Sequence, residues 1–474
     1  MGDRQALHRR GHSLALAGIC ALAVSYPVRA QEGDGGLKLT FGVSSTLRSD
    51  SNLSLANPSR GRATTFQTDL SFGLESRTRV SALSLGLSTV ARAASLPAPG
   101  GKSAGIEDPT LTFAYAREGA RSRLQLTARY NRADLDYVDP LTDPVLVADP
   151  TAPGGFVLVS SSGTRTNKSV GLGFETGIDT PFGFKLQLDR RNLDYSGTVS
   201  PSLYDTRTTS GSTELRFDVT PTTRFTVTAA ATNYTASDVT QIDRRNRSLS
   251  FGVVQVLDEA TTLTASIGRS RVETDRTIAA IRTTAVQQGT TFTLGATRDI
   301  PVGNVGLTYA RSIDTTGSRD TLQVSHQHEF RTSALNLSLG LTRGTAGTTA
   351  VVANAAFRQD LPSGRFTLSL ARSVATNDLL QDVLATRATA NYTHEITDLS
   401  SIALGASYAR SEDGGAGAFA TTSRSGLSVT YSRSLTEDWG LNAGYEYRRA
   451  TTTTGPARSN ALFVTIGRSF EIRP

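Results

Sequence analysis

His326 and His328 are the residues of this chain whose type and spacing come nearest to a chemical site. They lie two positions apart, beside Ser325, in a segment where apolar and polar residues alternate. Two such residues of a strand share one face, so the imidazoles could begin a metal site or supply a general base. No third ligand follows at a diagnostic spacing, and the sequence has no nucleophile elbow, P-loop or dinucleotide fingerprint. We interpret the pair as amphipathic side chains at a membrane interface, and we expect no enzyme activity, metal or cofactor.

Charged residues in similar alternating segments form a second group of candidates. Opposed charges that face each other across a pore set a transverse field and tune its selectivity. On the segments that we take to run outward, the candidates are Arg129, Arg190, Arg269, Arg311, Asp134, Asp136, Asp194 and Glu273. A second interpretation makes them solvated pairs or lipopolysaccharide contacts at the rim of a barrel. Both interpretations need elements that bring these residues to one end of a pore.

The elements that would position them are strands, because the hydrophobic pattern has a period of two. Leucines alternate with polar residues at 83–88 and 335–341, and the same alternation returns at 402–408. Period two places the apolar residues on one face, and the opposite face stays polar in segment after segment. A barrel in lipid turns its apolar face outward and its wet face inward. The sequence therefore predicts an all-β fold, a single transmembrane up-and-down antiparallel β-barrel.

Two classes of connection take turns along the chain. Short ones, rich in Pro, Gly, Asp, Ser and Thr, lie at 75–79, 118–121, 179–183, 220–224, 258–261, 299–303, 331–333, 362–364, 397–400 and 434–438. Longer polar ones include 48–63, 196–207, 235–246, 275–287 and 412–422. Short periplasmic turns opposite long extracellular loops are typical of outer-membrane barrels. The short turns and the two free ends predict about 22 strands, and roughly 20–24 would fit the same pattern.

The first thirty residues predict a secretory signal. Arg4, Arg9 and Arg10 precede an apolar stretch from Leu14 to Val24, and Ala30 supplies a small residue for cleavage. The apolar stretch is shorter than the about 20 residues that a spanning helix needs. We therefore expect residues 1–30 to be removed and 31–474 to form the barrel. Only a few residues would then precede the first strand, too few for a plug domain.

Composition and net charge limit the classes of molecule that the chain is expected to bind. Hydrophobic residues make up 38% of the chain and its mean hydropathy is −0.21. These values are typical of a soluble protein and equally of a barrel, in which only alternate residues face lipid, so the pattern must decide. Removing residues 1–30 takes four of the 49 basic and one of the 42 acidic residues, which lowers the net charge from +7 to +4. This charge is spread along the chain, so we expect no nucleic-acid partner. Nearly all of the positive charge is arginine, which binds phosphate bidentately, and we expect contact with outer-membrane lipid and lipopolysaccharide. A genome of high GC content would give the same bias towards arginine.

The last segment carries an expected assembly signal. Thr465, Gly467, Phe470 and Ile472 form a pattern of a polar residue, a glycine two positions later and two hydrophobic residues at alternate positions. This pattern resembles the signal that the barrel assembly machinery recognises in the last strand of outer-membrane proteins. We therefore expect that machinery to be a partner.

The longest loop spans residues 137–167. Apolar runs at 145–147 and 156–159 flank a segment rich in Pro and Gly, which predicts a hairpin inside the loop. Such a loop could fold inward as a constriction or stand above the membrane, and the sequence does not choose between the two.

The beginning of the predicted barrel carries a family resemblance. The first strand, Leu37 to Thr46, is followed by Arg48-Ser-Asp-Ser-Asn-Leu53. In this the chain resembles the bacterial beta-barrel porin 2 family, or a related uncharacterised family of Gram-negative outer-membrane barrels, whose members carry an Asp/Asn cluster after their first strand. The resemblance implies passive or export-related transport at the cell outer membrane. We expect a porin-like channel or exporter pore for small hydrophilic solutes; the alternatives are an occluded structural or surface-presenting barrel and an outer-membrane enzyme.

Overall fold

A computed structural model describes residues 36–97, 101–146, 155–198, 200–345, 347, 349–414, 420–453 and 455–474. The predicted signal peptide and its cleavage after Ala30 lie outside the described residues. The described residues form strands joined by turns and loops. Among them, no helix is long and apolar enough to cross a membrane.

The barrel wall consists of 22 strands, and a further two-stranded hairpin lies within one loop. In chain order the strands are β1 Leu37–Asp50, β2 Ala63–Arg77, β3 Ser81–Leu96, β4 Gly101–Glu118, β5 Ser122–Asp134, β6 Val145–Leu146, β7 Phe156–Val157, β8 Thr164–Thr176, β9 Phe182–Ser196, β10 Thr206–Thr220, β11 Thr223–Ala236, β12 Ile242–Val256, β13 Thr261–Ile278, β14 Ile281–Ile300, β15 Gly303–Ile313, β16 Ser318–Glu329, β17 Ser333–Gly344, β18 Thr349–Leu361, β19 Gly364–Thr376, β20 Asp382–Thr397, β21 Ser400–Asp413, β22 Thr422–Ser434, β23 Trp439–Thr452 and β24 Gly455–Ile472.

The wall closes on itself. Each wall strand pairs antiparallel with the next one along the chain, and β24 returns to β1 with a register that runs from Leu39 opposite Ile472 to Asp50 opposite Ala461. Closure leaves no strand edge unpaired, which a sheet in lipid requires because no water is there to satisfy its backbone groups. The predicted all-β barrel and its strand number of 22 are confirmed.

The two faces of the wall differ as the alternation predicts. Phe251 on β12 lies opposite Ile267 on β13, and these side chains are 55% and 60% exposed. Their neighbours of the other parity, such as Ser250 and Gly268, are small or polar. Large apolar side chains are exposed on this face of strand after strand, which in a closed barrel marks the outer, lipid-facing surface. The polar face lines the lumen.

The connections follow the two predicted classes. All ten short turns fall between strands, and residues 145–146 and 156–157 pair as the predicted hairpin inside the longest loop. The segment 275–287 is different, because β13 and β14 continue through it and turn at Ala279 and Ala280, both with positive φ. Positive φ at two central residues is the geometry of a tight hairpin turn. The sequence predicted a longer loop here because the residues are polar. The structure shows that they are polar because these parts of β13 and β14 lie in water.

Two loops at the extracellular end matter for the site. Residues 135–163, between β5 and β8, are called the long loop, and residues 377–381, between β19 and β20, are called the short loop. The strands β5 and β19 run away from the periplasmic turns, so both loops lie at the extracellular end.

Candidate functional site at the extracellular end of the lumen

Arginines that line the inner face near the extracellular end are withdrawn from water. The buried arginines of the described residues are Arg92, Arg165, Arg244, Arg319, Arg424 and Arg448. Each contacts at least one carboxylate. Burying a guanidinium is costly unless an anion and further hydrogen bonds compensate for the lost water. The carboxylates that meet these arginines therefore organise this end of the barrel.

Asp139 anchors the long loop to a distant part of the wall. Its Oδ1 lies 3.4 Å from Nη1 of Arg424 on β22, and its Oδ2 lies 3.4 Å from Nη1 of Arg448 on β23. Arg387 on β20 donates a hydrogen bond of 2.8 Å to the carbonyl of Leu141. Along the wall, β5 is separated from β22 by β23, β24 and β1–β4. The long loop reaches these arginines across the lumen, which also identifies the face that they occupy as the inner one.

Apolar contacts hold the long loop at the same place. Leu141, Phe156 and Leu158 of the loop form one buried cluster with Ala385 on β20 and Ala409 on β21. Alanine at these wall positions leaves room for the larger loop side chains. Burial of a Leu or Phe side chain contributes about 1.5–3 kcal/mol, so the loop is fixed by packing as well as by charge.

Asp378 makes a second connection across the lumen. This residue of the short loop accepts hydrogen bonds from the hydroxyls of Tyr204 (2.8 Å) and Tyr234 (2.6 Å) and forms an ion pair of 2.9 Å with Arg244 on β12. Arg276 on β13 donates to its backbone carbonyl at 3.0 Å. Burial, and then the charge of Asp378, raise the pKa of Tyr204, which keeps this loop phenol protonated as a donor. The strands β13–β18 separate the two ends of this connection along the wall.

A network of ion pairs along the wall supports the long-loop anchor. Asp50 is buried between Arg48, at 2.8 Å, and Arg448, at 2.7 Å. Arg48 also contacts Glu446 at 2.6 Å. Arg448 therefore joins the β23–β24–β1 part of the wall to Asp139.

The predicted selectivity charges divide between the two faces. Arg129 pairs with Ser169 on the inner face. Arg190 pairs with Val170, which is 62% exposed, and Arg269 pairs with the exposed Leu249, so both point outward. By the same register the outward set is Arg190, Arg269, Arg311, Asp194 and Glu273.

The interpretation that these five charges face the lumen is therefore wrong, because the register places them on the outer face. Leu186, Leu188, Arg190 and Asp194 share one parity on β9, so the apolar face simply becomes charged where the strand leaves the lipid. The phase of the alternation already carried this information. A role at the rim stays a prediction for these residues.

Asp134 and Asp136 lie where β5 enters the long loop. The backbone amide of Asp134 donates to Asp108 at 2.7 Å, and that of Asp136 donates to the Asp134 carboxylate at 3.0 Å. Burial, and then the charge of Asp134, raise the pKa of Asp136. The carboxylates of Asp108 and Asp134 therefore fix the backbone at the start of the long loop.

Sequence reasoning missed the residues that cross the lumen. Asp139 and Asp378 stand in loops where any polar residue would be expected, and Arg424 and Arg448 were not distinguished from other arginines. The parity of Arg448, opposite to that of the apolar Tyr445 and Tyr447, placed it on the inner face. The partner of each acid could not be found, because a contact across the lumen has no local signature in the chain.

The histidines lie at the periplasmic end of β16 on the outer face. His326 pairs with Val305, and the His328 ring lies 3.9 Å from the ring of Phe330. Ser325 precedes His326 directly and so faces the lumen. The position agrees with the interfacial interpretation, and the arrangement gives no serine–histidine pair.

The predicted assembly residues lie on the closing strand β24. Thr465 and Thr46 of β1 join through their hydroxyls at 2.8 Å, and Gly467 lies opposite Ser44 on the inner face. Phe470 and Ile472 are exposed on the outer face at the periplasmic end. Recognition of these residues by the assembly machinery stays a prediction.

Comparison with known proteins identifies the fold. No protein-family model and no curated protein match the chain. Among solved structures, it is similar to the ferric-catecholate import receptor Fiu from E. coli K12, with 12% identity, a TM-score of 0.56 and coverage of 93% of this chain and 82% of that one. The iron transporter FrpB from Neisseria meningitidis has 10% identity and a TM-score of 0.55, and the match covers 93% of this chain and 82% of that one. The copper transporter OprC has 12% identity and a TM-score of 0.53, again with coverage of 93% of this chain and 82% of that one.

Identities this low establish a likeness of fold alone. A closed antiparallel barrel of 22 strands with an exposed apolar outer face is the architecture of an integral protein of the Gram-negative cell outer membrane. The expected membership in the porin 2 family has no match among family models. The broader identification as an outer-membrane β-barrel stands.

Proposed function

We propose that this barrel carries a small hydrophilic solute across the outer membrane through a lumen that its extracellular loops close at rest. The observation that supports this most directly is the pair of contacts from Asp139 to Arg424 and Arg448. A loop that only decorated the surface would need no buried ion pair on a distant part of the inner wall. The short loop repeats the arrangement with Asp378.

The inner wall favours a hydrophilic cargo. Below the loops it presents Ser, Thr, Gly and Asn side chains, together with Arg129 and Arg191 on either side of Ser169. Charges on a pore wall bias the sign of the solute that passes. The selectivity role predicted for Arg129 therefore belongs to this proposal, whereas the outward charges belong to the rim.

Regulated transport fits better than a permanently open pore. The solved structures that share the fold are described as an import receptor, an iron transporter and a copper transporter, which supports uptake by analogy of fold. The resemblance to the porin 2 family supports passive transport instead. The loop contacts favour a lumen that must open, and the placement of the histidines gives no reason to propose catalysis.

Conductance of the purified protein in planar bilayers tests the proposal. We expect the native barrel to conduct little, and the double variant Asp139→Asn/Asp378→Asn to show steady open events. Asparagine keeps the size of each side chain and removes the charge that the buried arginines attract. Asp360→Asn is the matched control, since Asp360 pairs with Arg358 and Arg365 on adjacent strands at the periplasmic end.

Two results would contradict the proposal. Equal, steady conductance of the native barrel and the double variant would show that the loops do not close the lumen. Silence of both, from protein that shows the heat-modifiable migration of a folded barrel, would favour the alternative of an occluded structural barrel. The control distinguishes a specific effect of the loop carboxylates from a general effect of removing negative charge.

A further inference from the structure

The outer face of β12 and β13 carries a concentration of arginine above the apolar belt. Arg247 lies directly opposite Arg271, and Arg269 lies opposite Leu249, one step along the same face. All three arginine side chains are exposed. They form what we call the outer arginine patch. Its position is independent of the loops and of the proposed transport.

The patch lacks enough negative charge of its own. Arg271 contacts Glu273 at 3.1 Å, whereas no ion pair within the described residues involves Arg247 or Arg269. Like charges directly opposite each other on a sheet are destabilising. Arg247 and Arg271 are such a pair, and their repulsion is relieved if an external anion lies between them.

The neighbours of the patch indicate what kind of anion fits. Towards the membrane, the next outward positions are Leu249, Phe251 and Ile267, all exposed and apolar. On the other side of β12, Ala229 and Ala231 are small outward residues beside Leu249 and Arg247, so the surface there is shallow. An occupant must therefore combine an anionic headgroup with acyl chains immediately below it.

We propose that Arg247, Arg269 and Arg271 bind the phosphate of a phosphorylated outer-leaflet lipid, the lipid A part of lipopolysaccharide. Guanidinium groups bind phosphate through two parallel hydrogen bonds each. The patch lies at the level where the extracellular end of the wall leaves the lipid, which is the level of the headgroups in that leaflet. The acyl chains then cover Phe251 and Ile267, and the sugars lie over Ala229 and Ala231.

Native mass spectrometry of the barrel in an uncharged detergent tests this proposal. The full chain is titrated with lipopolysaccharide and, separately, with the same lipopolysaccharide after chemical removal of its phosphates. We expect the native protein to bind the phosphorylated form at least tenfold more tightly. The variant Arg247→Gln/Arg269→Gln/Arg271→Gln should lose most of that preference, and Arg247→Gln alone should lose part of it.

A matched control lies on the same face at the opposite end. Arg433 on β22 is exposed and outward near the periplasmic turn, so Arg433→Gln should bind like the native protein. Heat-modifiable migration establishes that each variant is folded. Equal binding of both lipopolysaccharide forms by the native protein would overturn phosphate recognition. Unchanged binding by the folded triple variant would overturn the location of the site.

Discussion

Arg244 and Arg245 are consecutive residues of β12 with opposite environments. Arg244 points into the lumen, is 1% exposed and pairs with Asp378 from across the barrel. Arg245 points outward, is exposed, and pairs with Asp243 two positions away on its own strand. A shift of one residue along the strand therefore changes an arginine from a buried connection across the lumen into an exposed residue of the outer surface.

The same contrast returns on β23, where Arg448 faces inward and Arg449 outward. An exposed ion pair contributes about 0–1 kcal/mol, because water and salt screen it. Removing one partner of a buried pair costs about 3–5 kcal/mol, because the remaining charge stays buried without compensation. The inner arginines should therefore determine the stability of the extracellular end, and the outer ones should affect it little.

The largest effect is expected from Arg244→Met compared with Arg245→Met. Methionine preserves much of the length of the side chain and removes the charge. Loss of Arg244 leaves Asp378 buried with its two tyrosines, so we expect the free energy of unfolding to fall by about 3–5 kcal/mol. The second variant should change it by less than about 1 kcal/mol. Urea unfolding of the barrel in lipid vesicles measures both.

One result would contradict this prediction. If both variants lowered the free energy of unfolding equally, burial of the inner arginine would not be the cause. Adding Asp378→Asn to Arg244→Met should recover part of the loss, because it removes the carboxylate that was left without a cation.

An intermediate effect is expected where the barrel closes. On β24, Gly467 faces inward and Arg468 outward. A Cβ at Gly467 would lie 3.0 Å from the Cβ of Ser44, so Gly467→Val should cost about 1–3 kcal/mol through overpacking and lower the heat-modifiable fraction of newly made protein. Arg468→Gln, on the exposed face beside Phe470, should leave that fraction nearly unchanged. Equal yields of the two variants would contradict the importance of close packing at the seam.

The smallest effect on stability is expected from replacing Asp258, an exposed carboxylate of a periplasmic turn. Asp258, in the periplasmic turn after β12, accepts hydrogen bonds from the backbone amides of Ala260 and Thr261, and these lower its pKa. A lowered pKa in the folded state adds stability above the unfolded value and loses it as the pH falls through the folded value. Asp258→Asn should therefore lower the thermal midpoint slightly at neutral pH.

That difference should vanish as the pH falls well below 3.8, the ordinary aspartate value. Thermal unfolding of both proteins across the acidic range measures it. A difference that persisted or grew in acid would show that the turn is stabilised by something other than the charge of Asp258.

Much of the architecture was predictable because its causes are local. The alternation at 335–341 and the turn residues at 258–261 act over a few positions, so strands, hairpins and their approximate number follow from neighbouring residues. The hairpin at 145–146 and 156–157 was predicted for the same reason. Of the two interpretations of Arg190, the one that placed it on the lumen side failed because polarity was followed instead of phase. The extended β13–β14 hairpin was missed because strands above the membrane have no lipid to mark them.

The site itself was less predictable. Arg129 lies opposite Ser169 on the inner wall, and its role in selectivity stays a prediction, whereas Asp139 and Asp378 received no special weight. Their partners are far away in the chain: Arg424 lies 285 positions from Asp139, and Arg244 lies 134 positions from Asp378. Nothing in the neighbouring residues encodes such a pairing, because it depends on where a loop ends after the whole wall has closed.

The sequence predicted an outer-membrane barrel of about 22 antiparallel strands, because period-two alternation and turn chemistry act between neighbouring residues. The closed wall and its loops decided which of the inward-facing arginines meet a buried acid from across the lumen. The physical reason is that burial is a property of the closed wall and its loops together. The same guanidinium group connects two parts of the barrel across the lumen in one place and is exposed on the outer face in the other.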